Sequence, residues 1–154
     1  MSAPVTQLVV FSLKGLRCAL HLAVVGRIER AVAVSPLPRA PEIVLGVINV
    51  RGRVFPVVDL RKRFRLPSRP IDAGDRLILA STSRRPVALL AEEVEGVESF
   101  TADRLLAAEG ILPGLACLDG VIPTHEGIIF IHNLDRLLSL EEEERLRSAL
   151  EDSP

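Results

Sequence analysis

At 154 residues and a formal net charge of −1, the chain suits one ordinary domain or two very small modules sharing a core. It carries no global field that would select nucleic acid, a membrane surface or an acidic partner. A chain of this size buries roughly 70% of its unfolded surface, so a stable core needs neither disulfides nor metal. Tyr and Trp are absent and Phe numbers only five, which leaves little from which to build stacking platforms for single-stranded nucleic acid.

The first residues, MSAPVTQ, have neither a basic nor an apolar leader region, and no apolar run approaches the roughly 20 residues that span a bilayer. The expectation is a cytosolic chain without membrane insertion. Gln7–Leu13 and Leu16–Leu22 are apolar, β-branched runs joined by Lys14-Gly15, the pattern of a hairpin. Val24–Val32 has apolar residues at Val24, Val25, Ile28 and Val32, which reads either as a short helical turn or as a bent strand. Ser35–Pro41 holds three prolines and is expected to be an ordered connection outside any ladder. Glu42–Val47 reads as one helical turn, Arg51-Gly52-Arg53 as a tight turn into a strand over Val54–Leu60, and Arg61–Phe64 as a short helical exit.

Pro67–Asp75 is the clearest linker, and beyond it the plan recurs: Leu77–Ser81, Val87–Ala91, Val94–Phe100 and Ile128–His132 are expected strands. Thr101 can cap a helix over Ala102–Ala107. Ser139 with Glu142 forms a capping box ahead of a C-terminal helix, where Leu140, Leu146 and Leu150 leave a thin apolar stripe and the acidic run is read as a solvated start.

The recurrence is residue by residue. Gln7–Glu29 aligns without a gap on Arg76–Glu98, so that Leu8 meets Leu77, Ala19 meets Ala88 and Val25 meets Val94. Gly46–Phe64 aligns on Gly120–Leu138, with Gly46-Val47-Ile48 returning as Gly120-Val121-Ile122 and an offset about five residues longer. Two copies of a unit of roughly 65 residues, each of short strands, predict two small β-barrels rather than a parallel α/β sheet.

Chemistry-bearing patterns are scarce. P-loop, G-x-G-x-x-G, G-x-S-x-G and H-E-x-x-H signatures are absent. Glu92 and Glu93 would face opposite sides of a strand, a poor acid–base pair. His21 and His132 read as half-buried structural residues, and His125 with His132 implies no third metal ligand. Cys18 and Cys117 sit among apolar residues as small buried hydrophobes. No catalytic residue, metal or cofactor is expected. Arg51, Arg53, Arg61, Lys62, Arg63, Arg65 and Arg69 cluster in sequence, a solvated surface by preference and a docking face, even for nucleic acid, as the alternative. The repeats differ most at one turn: Asn49-Val50-Arg51-Gly52 corresponds to Pro123-Thr124-His125-Glu126. Gly52 permits positive φ, and Arg51 should project outward.

Pro38-Arg39-Ala40-Pro41, then Gly46-Val47-Ile48-Asn49-Val50-Arg51-Gly52, then Val54–Asp59-Leu60-Arg61 resemble the core motif of the CheW family, the adaptors of bacterial chemosensory arrays. The resemblance implies an all-β fold of two intertwined five-stranded SH3-like barrels with a few short helices and a C-terminal helix. The domain would span 5–140, with repeats at 7–66 and 76–139 and an acidic helix or tail at 141–154. It also implies a non-catalytic scaffold linking the cytoplasmic tips of chemoreceptors to the regulatory domain of a CheA-type histidine kinase, at membrane-bound receptor arrays. Other CheW-like domains in array rings are further implied partners, and nucleic acid is not. The same adaptor in a twitching, gliding or developmental pathway is the close alternative, and an SH3-like nucleic-acid-binding module the alternative of another class. In the family a groove between the barrels receives the receptor, at positions matched here by Val25, Gly46, Asn49, Arg51 and Gly52. The kinase-binding residues are not identified by the motif. Where the family usually reads V-x-E-I, this chain has Val25-Gly26-Arg27-Ile28, with the acid displaced to Glu29.

Overall fold

The computed structural model describes residues 4–107 and 117–152. Among these residues ten strands and one α-helix follow in chain order: β1 Val5–Leu13, β2 Leu16–His21, β3 Val25–Arg30, β4 Val44–Val50, β5 Arg53–Val58, β6 Arg76–Ser81, β7 Pro86–Ala91, β8 Glu93–Thr101, β9 Leu118–Thr124, β10 Gly127–His132 and α1 Leu140–Glu151. They form two five-stranded sheets, ordered β8-β1-β2-β10-β9 and β3-β6-β7-β5-β4. Each sheet therefore mixes strands from both repeats, the intertwining expected of the fold.

The two sheets obey one pairing scheme. Leu8 pairs with His21 as Leu77 pairs with Leu90. Ile48 pairs with Phe55 as Ile122 pairs with Ile129. Even the irregularities coincide: the register slips between Val25 and Arg27 in one sheet and at the aligned Val94–Gly96 step in the other. Gly46–Leu60 and Gly120–Leu134 thus occupy equivalent strands. At both glycines a second segment crosses close by. Ser35 exchanges two backbone hydrogen bonds with Val47, and Leu106 does the same with Val121. A Cβ on Gly46 would overlap the Ser35 carbonyl, and one on Gly120 would lie 2.7 Å from that of Leu106. Only glycine admits the crossing chain.

Three apolar clusters explain the unbroken apolar runs of β1, β6 and β7. Leu8, Val10, Ile129 and Ile131 fill one barrel. Their counterparts Leu77, Leu79, Phe55 and Val57 fill the other. The opposite faces of the same strands, with Phe11, Leu13, Ile78 and Leu89, meet in a larger shared core. A strand buried on both faces loses the polar-out alternation of a half-buried one.

Several local expectations are corrected by this packing. Glu42–Val47 is not a helical turn: only Glu42-Ile43 turns, and strand geometry begins at Val44 because Val44, Gly46 and Ile48 alternate inward. Ser35, expected outside any ladder, bridges to Val47. Thr101 makes no side-chain cap and the helix expected over Ala102–Ala107 shrinks to a 3-10 turn at Ala102–Arg104. The chain must straighten there so that Leu106 can reach Val121. The region Val24–Val32 divides: Val24 ends a 3-10 turn at Leu22–Val24, and Val25–Arg30 is a strand with a bulge. His132 is fully buried rather than half-buried, at 1% exposure, with Phe64 edge-on at 5.5 Å.

Helix α1 also departs from its expected stripe. Leu140 is 81% exposed, whereas Leu146 and Ala149 are buried in the shared core. The capping box of Ser139 and Glu142 is present. The acidic start is not simply solvated, because Glu142 pairs with Arg63 and Glu143 with Arg85 at 2.5 Å. One arginine comes from each repeat, so the helix is tied across both. No helix among the described residues is long and apolar enough to cross a membrane.

Candidate functional site

The β4–β5 hairpin closes with a two-residue turn in which Val50 faces Arg53. Both central residues are left-handed, Arg51 at φ +52° and Gly52 at φ +86°. This mirror-image turn matches the right-handed twist of the strands it joins. Glycine adopts it freely, but for Arg51 it costs roughly 1–2 kcal/mol. The Asn49 carboxamide oxygen accepts the Gly52 N–H at 2.9 Å and braces the turn. Among the described residues Arg51 has no hydrogen-bond or ion-pair partner, and it is exposed.

The curl of the sheet brings the start of β3 beside this turn. Between them opens a cleft of about 280 Å³ whose rim carries Arg27, Arg51 and Arg53 and whose floor includes Phe55, Leu79 and Pro86. The Arg53 guanidinium lies 5.5 Å from the centroid of the Phe55 ring. Arg27 is engaged by Glu29 at 2.7 Å. Every lining residue belongs to elements of one sheet, so the cleft lies at one barrel's mouth, not between the barrels where the resemblance implied a groove.

Of the five residues singled out from sequence, Asn49, Arg51 and Gly52 make the turn. Val25 is half-buried on the shared core, next to the cleft-lining Gly26. Gly46 lies buried at the far end of β4 under Ser35, away from the turn. In the sequence Arg27 stands out only as a departure from the motif and Arg53 only within the basic cluster, and the apolar floor does not stand out at all. Their signal was the period-2 alternation of Arg53 and Phe55 along β5, with Arg27 displaced by the bulge.

The equivalent place on the other barrel is a cleft of about 500 Å³ lined by Arg17, Glu95, Glu98, Phe100, Arg104, Thr124, His125 and Glu126, among others. Its turn, His125-Glu126, has neither residue at positive φ. Arg17 lies across this cleft, donating to Glu95 at 2.9 and 3.1 Å, with Glu98 at 3.6 Å and Glu126 at 3.8 Å. The Glu95 hydrogen bonds hold the Arg17 pKa above its ordinary value. Thr124 accepts from Arg17 at 3.2 Å.

The basic cluster seen in sequence is dispersed by the fold. Arg61 is 1% exposed and bonds Glu92 at 3.1 Å beside Asp59. Arg63 donates to the Leu137 carbonyl and Glu142, and Arg69 to Asp75 at 2.6 Å. Lys62 donates to Ser68. These residues do not form one basic face. Glu92 serves Arg61, and Glu93 opens β8. His21 Nε2 lies 3.1 Å from the Asp119 carboxylate, within hydrogen-bonding distance. Burial alone opposes ionisation of Asp119, yet Asn133, Arg136 and His21 hold its pKa below the usual range. Cys18 and Cys117 are buried free thiols, and burial, with Cys117 nearby, pushes Cys18 up to about 12.

The model of the CheW-like domain matches residues 7–142. Chemotaxis protein CheW of Rhizobium meliloti is 29% identical, over 78% of this chain and 89% of that protein. Chemotaxis protein CheW of Bacillus subtilis is 33% identical over 68% of each. The crystal structure of the scaffolding protein TtCheW from Thermoanaerobacter tengcongensis superposes with a TM-score of 0.80 at 26% identity, covering 89% of this chain and 94% of that one. The interwoven barrels, the braced Asn49–Gly52 turn and these likenesses lead to one conclusion, that the chain belongs to the CheW family.

Proposed function

We propose that this protein is a non-catalytic adaptor that couples chemoreceptors to a CheA-type histidine kinase in bacterial chemosensory signalling. The observation that carries the reading is the likeness, along nearly the whole chain, to a scaffolding protein of the chemotaxis family. The rigid frame supports it: two barrels share one core and α1 is tied to both repeats, so partners docked on different barrels are held in a fixed relation. In this reading the receptor tip contacts the Asn49–Gly52 turn and the neighbouring surface at Val25. Gly46 serves it indirectly, by letting the segment at Ser35 lie against β4. The kinase's regulatory domain docks through exposed Leu, Ile and Val side chains at strand ends, giving an apolar contact of moderate strength. The protein acts in the cytoplasm, at receptor arrays.

A pull-down from the native host tests the reading. Recovery of both a CheA-type kinase and a chemoreceptor is expected. Recovery of neither, under conditions that preserve receptor arrays, refutes it.

A further inference from the structure

We infer that the Arg27–Arg51–Arg53 cleft is a carboxylate receiver, selecting a receptor segment that presents an acidic side chain next to an apolar one. The inference rests on the proposed receptor coupling and adds the chemistry by which a partner is chosen. Three guanidiniums surround one small opening, and Glu29 is the only carboxylate bonded to any of them among the described residues. The left-handed backbone of the Asn49-braced turn sets the direction in which the Arg51 side chain leaves the chain before any partner arrives. A guanidinium offers a planar fork that grips a carboxylate bidentately.

The floor decides the rest of the ligand. Phe55 and Leu79 are nearly fully buried, and about 280 Å³ holds one or two side chains rather than a nucleotide. A nucleic-acid track would need the basic surface to continue. It does not, because Arg61, Arg63 and Arg69 are consumed by Glu92, Glu142 and Asp75. The occupant is thus a polypeptide with a Glu or Asp flanked by an apolar residue. Arg27 and Glu29 act as a latch: the incoming carboxylate takes the place of Glu29 on Arg27. The mate cleft on the other barrel cannot serve the same ligand, since Arg17 already answers three carboxylates there.

The test uses the full chain and, as probe, the cytoplasmic tip hairpin of a chemoreceptor from the same genome, with binding followed by calorimetry. Arg53→Glu and Arg51→Glu should each weaken tip binding by about tenfold or more, the scale for losing one side of a close charge pair. Arg53→Gln should weaken it less, and raising salt from about 50 to 300 mM should weaken the wild type. One acidic residue of the tip, changed to Arg, should restore binding to the Arg53→Glu chain. Thermal melts of each variant should match wild type. Tip binding that is indifferent to Arg53→Glu and to salt overturns this inference and leaves the adaptor reading standing. Displacement of the tip by an equal concentration of a single-stranded 20-mer overturns it in favour of nucleic acid. A tip that fails to bind the wild-type chain at all sinks both.

Discussion

The β4–β5 and β9–β10 turns are copies of one another in strand order, register and bulge, yet they meet the solvent with different electrostatics. On the first barrel Arg51 has no partner among the described residues and stands beside Arg27 and Arg53. On the second the matching rim is acidic, with three carboxylates, Glu95, Glu98 and Glu126, gathered around the single charge of Arg17. Duplication preserved what the backbone requires, the crossing glycine and the paired strands. It left the turn residues free to diverge, because a two-residue loop is decided by its own side chains rather than by the core.

The strongest way to break the comparison is at the shared backbone feature. Gly46→Ala should destabilise by about 3 kcal/mol or more, since the new methyl meets backbone that cannot rotate away. Gly120→Ala should cost somewhat less, because part of its clash is with the flexible end of Leu105. Urea melts rank the two. Equal, small losses would show that the crossings are not tight.

Acid should act through a buried histidine that only the second repeat carries. His132 occupies the place held by Val58 in the first repeat, and burial lowers its pKa to about 4. The folded state holds the ring neutral while the unfolded chain protonates near its ordinary value of about 6.5. The His132 contribution is therefore complete above about pH 6.5 and lost as pH falls toward 4, by roughly 3 kcal/mol in total. His132→Val should flatten that part of the pH profile, read as the difference between variant and wild-type denaturation at pH 7.5 and 4.5. A variant with the wild-type slope would refute the assignment.

The turns themselves should respond in function more than in stability. Arg51→Ala should shift stability by at most about 0.5 kcal/mol, and so should Arg51→Lys. Both should weaken receptor coupling, because an ammonium lacks the planar fork. His125→Ala should be silent. Equal coupling losses from Arg51 and His125 changes would erase the proposed difference between the clefts. The smallest effect concerns the kinase: neither turn variant should alter its affinity measurably in calorimetry, and that affinity should be weaker than sub-nanomolar.

Much of this molecule is legible in the order of its residues. Two ungapped self-alignments, the Lys14-Gly15 and Arg51-Gly52 turns, and the Ser139–Glu142 box are all local or periodic signals, and the barrels they predict are present. The helical readings at 42–47 and 102–107 failed because each segment pairs in extended form with a part of the chain that local pattern does not reveal: Val44–Val47 lies in β4 against β5 and Ser35, and Leu106 bridges Val121 beside Gly120.

What tertiary structure alone decided is partnership across distance. Nothing near Arg61 in sequence announces Glu92, nor does Arg63 announce Glu142, so seven clustered basic residues resembled one surface until folding spent Arg61, Arg63 and Arg69 on carboxylates. The strand exchange between repeats is of the same kind. Pattern tells a strand which face is apolar, but either repeat's neighbours would satisfy it. Burial of both faces at once, in a barrel and in the shared core, favours the interleaved order, which leaves neither apolar face of β1, β6 and β7 in water.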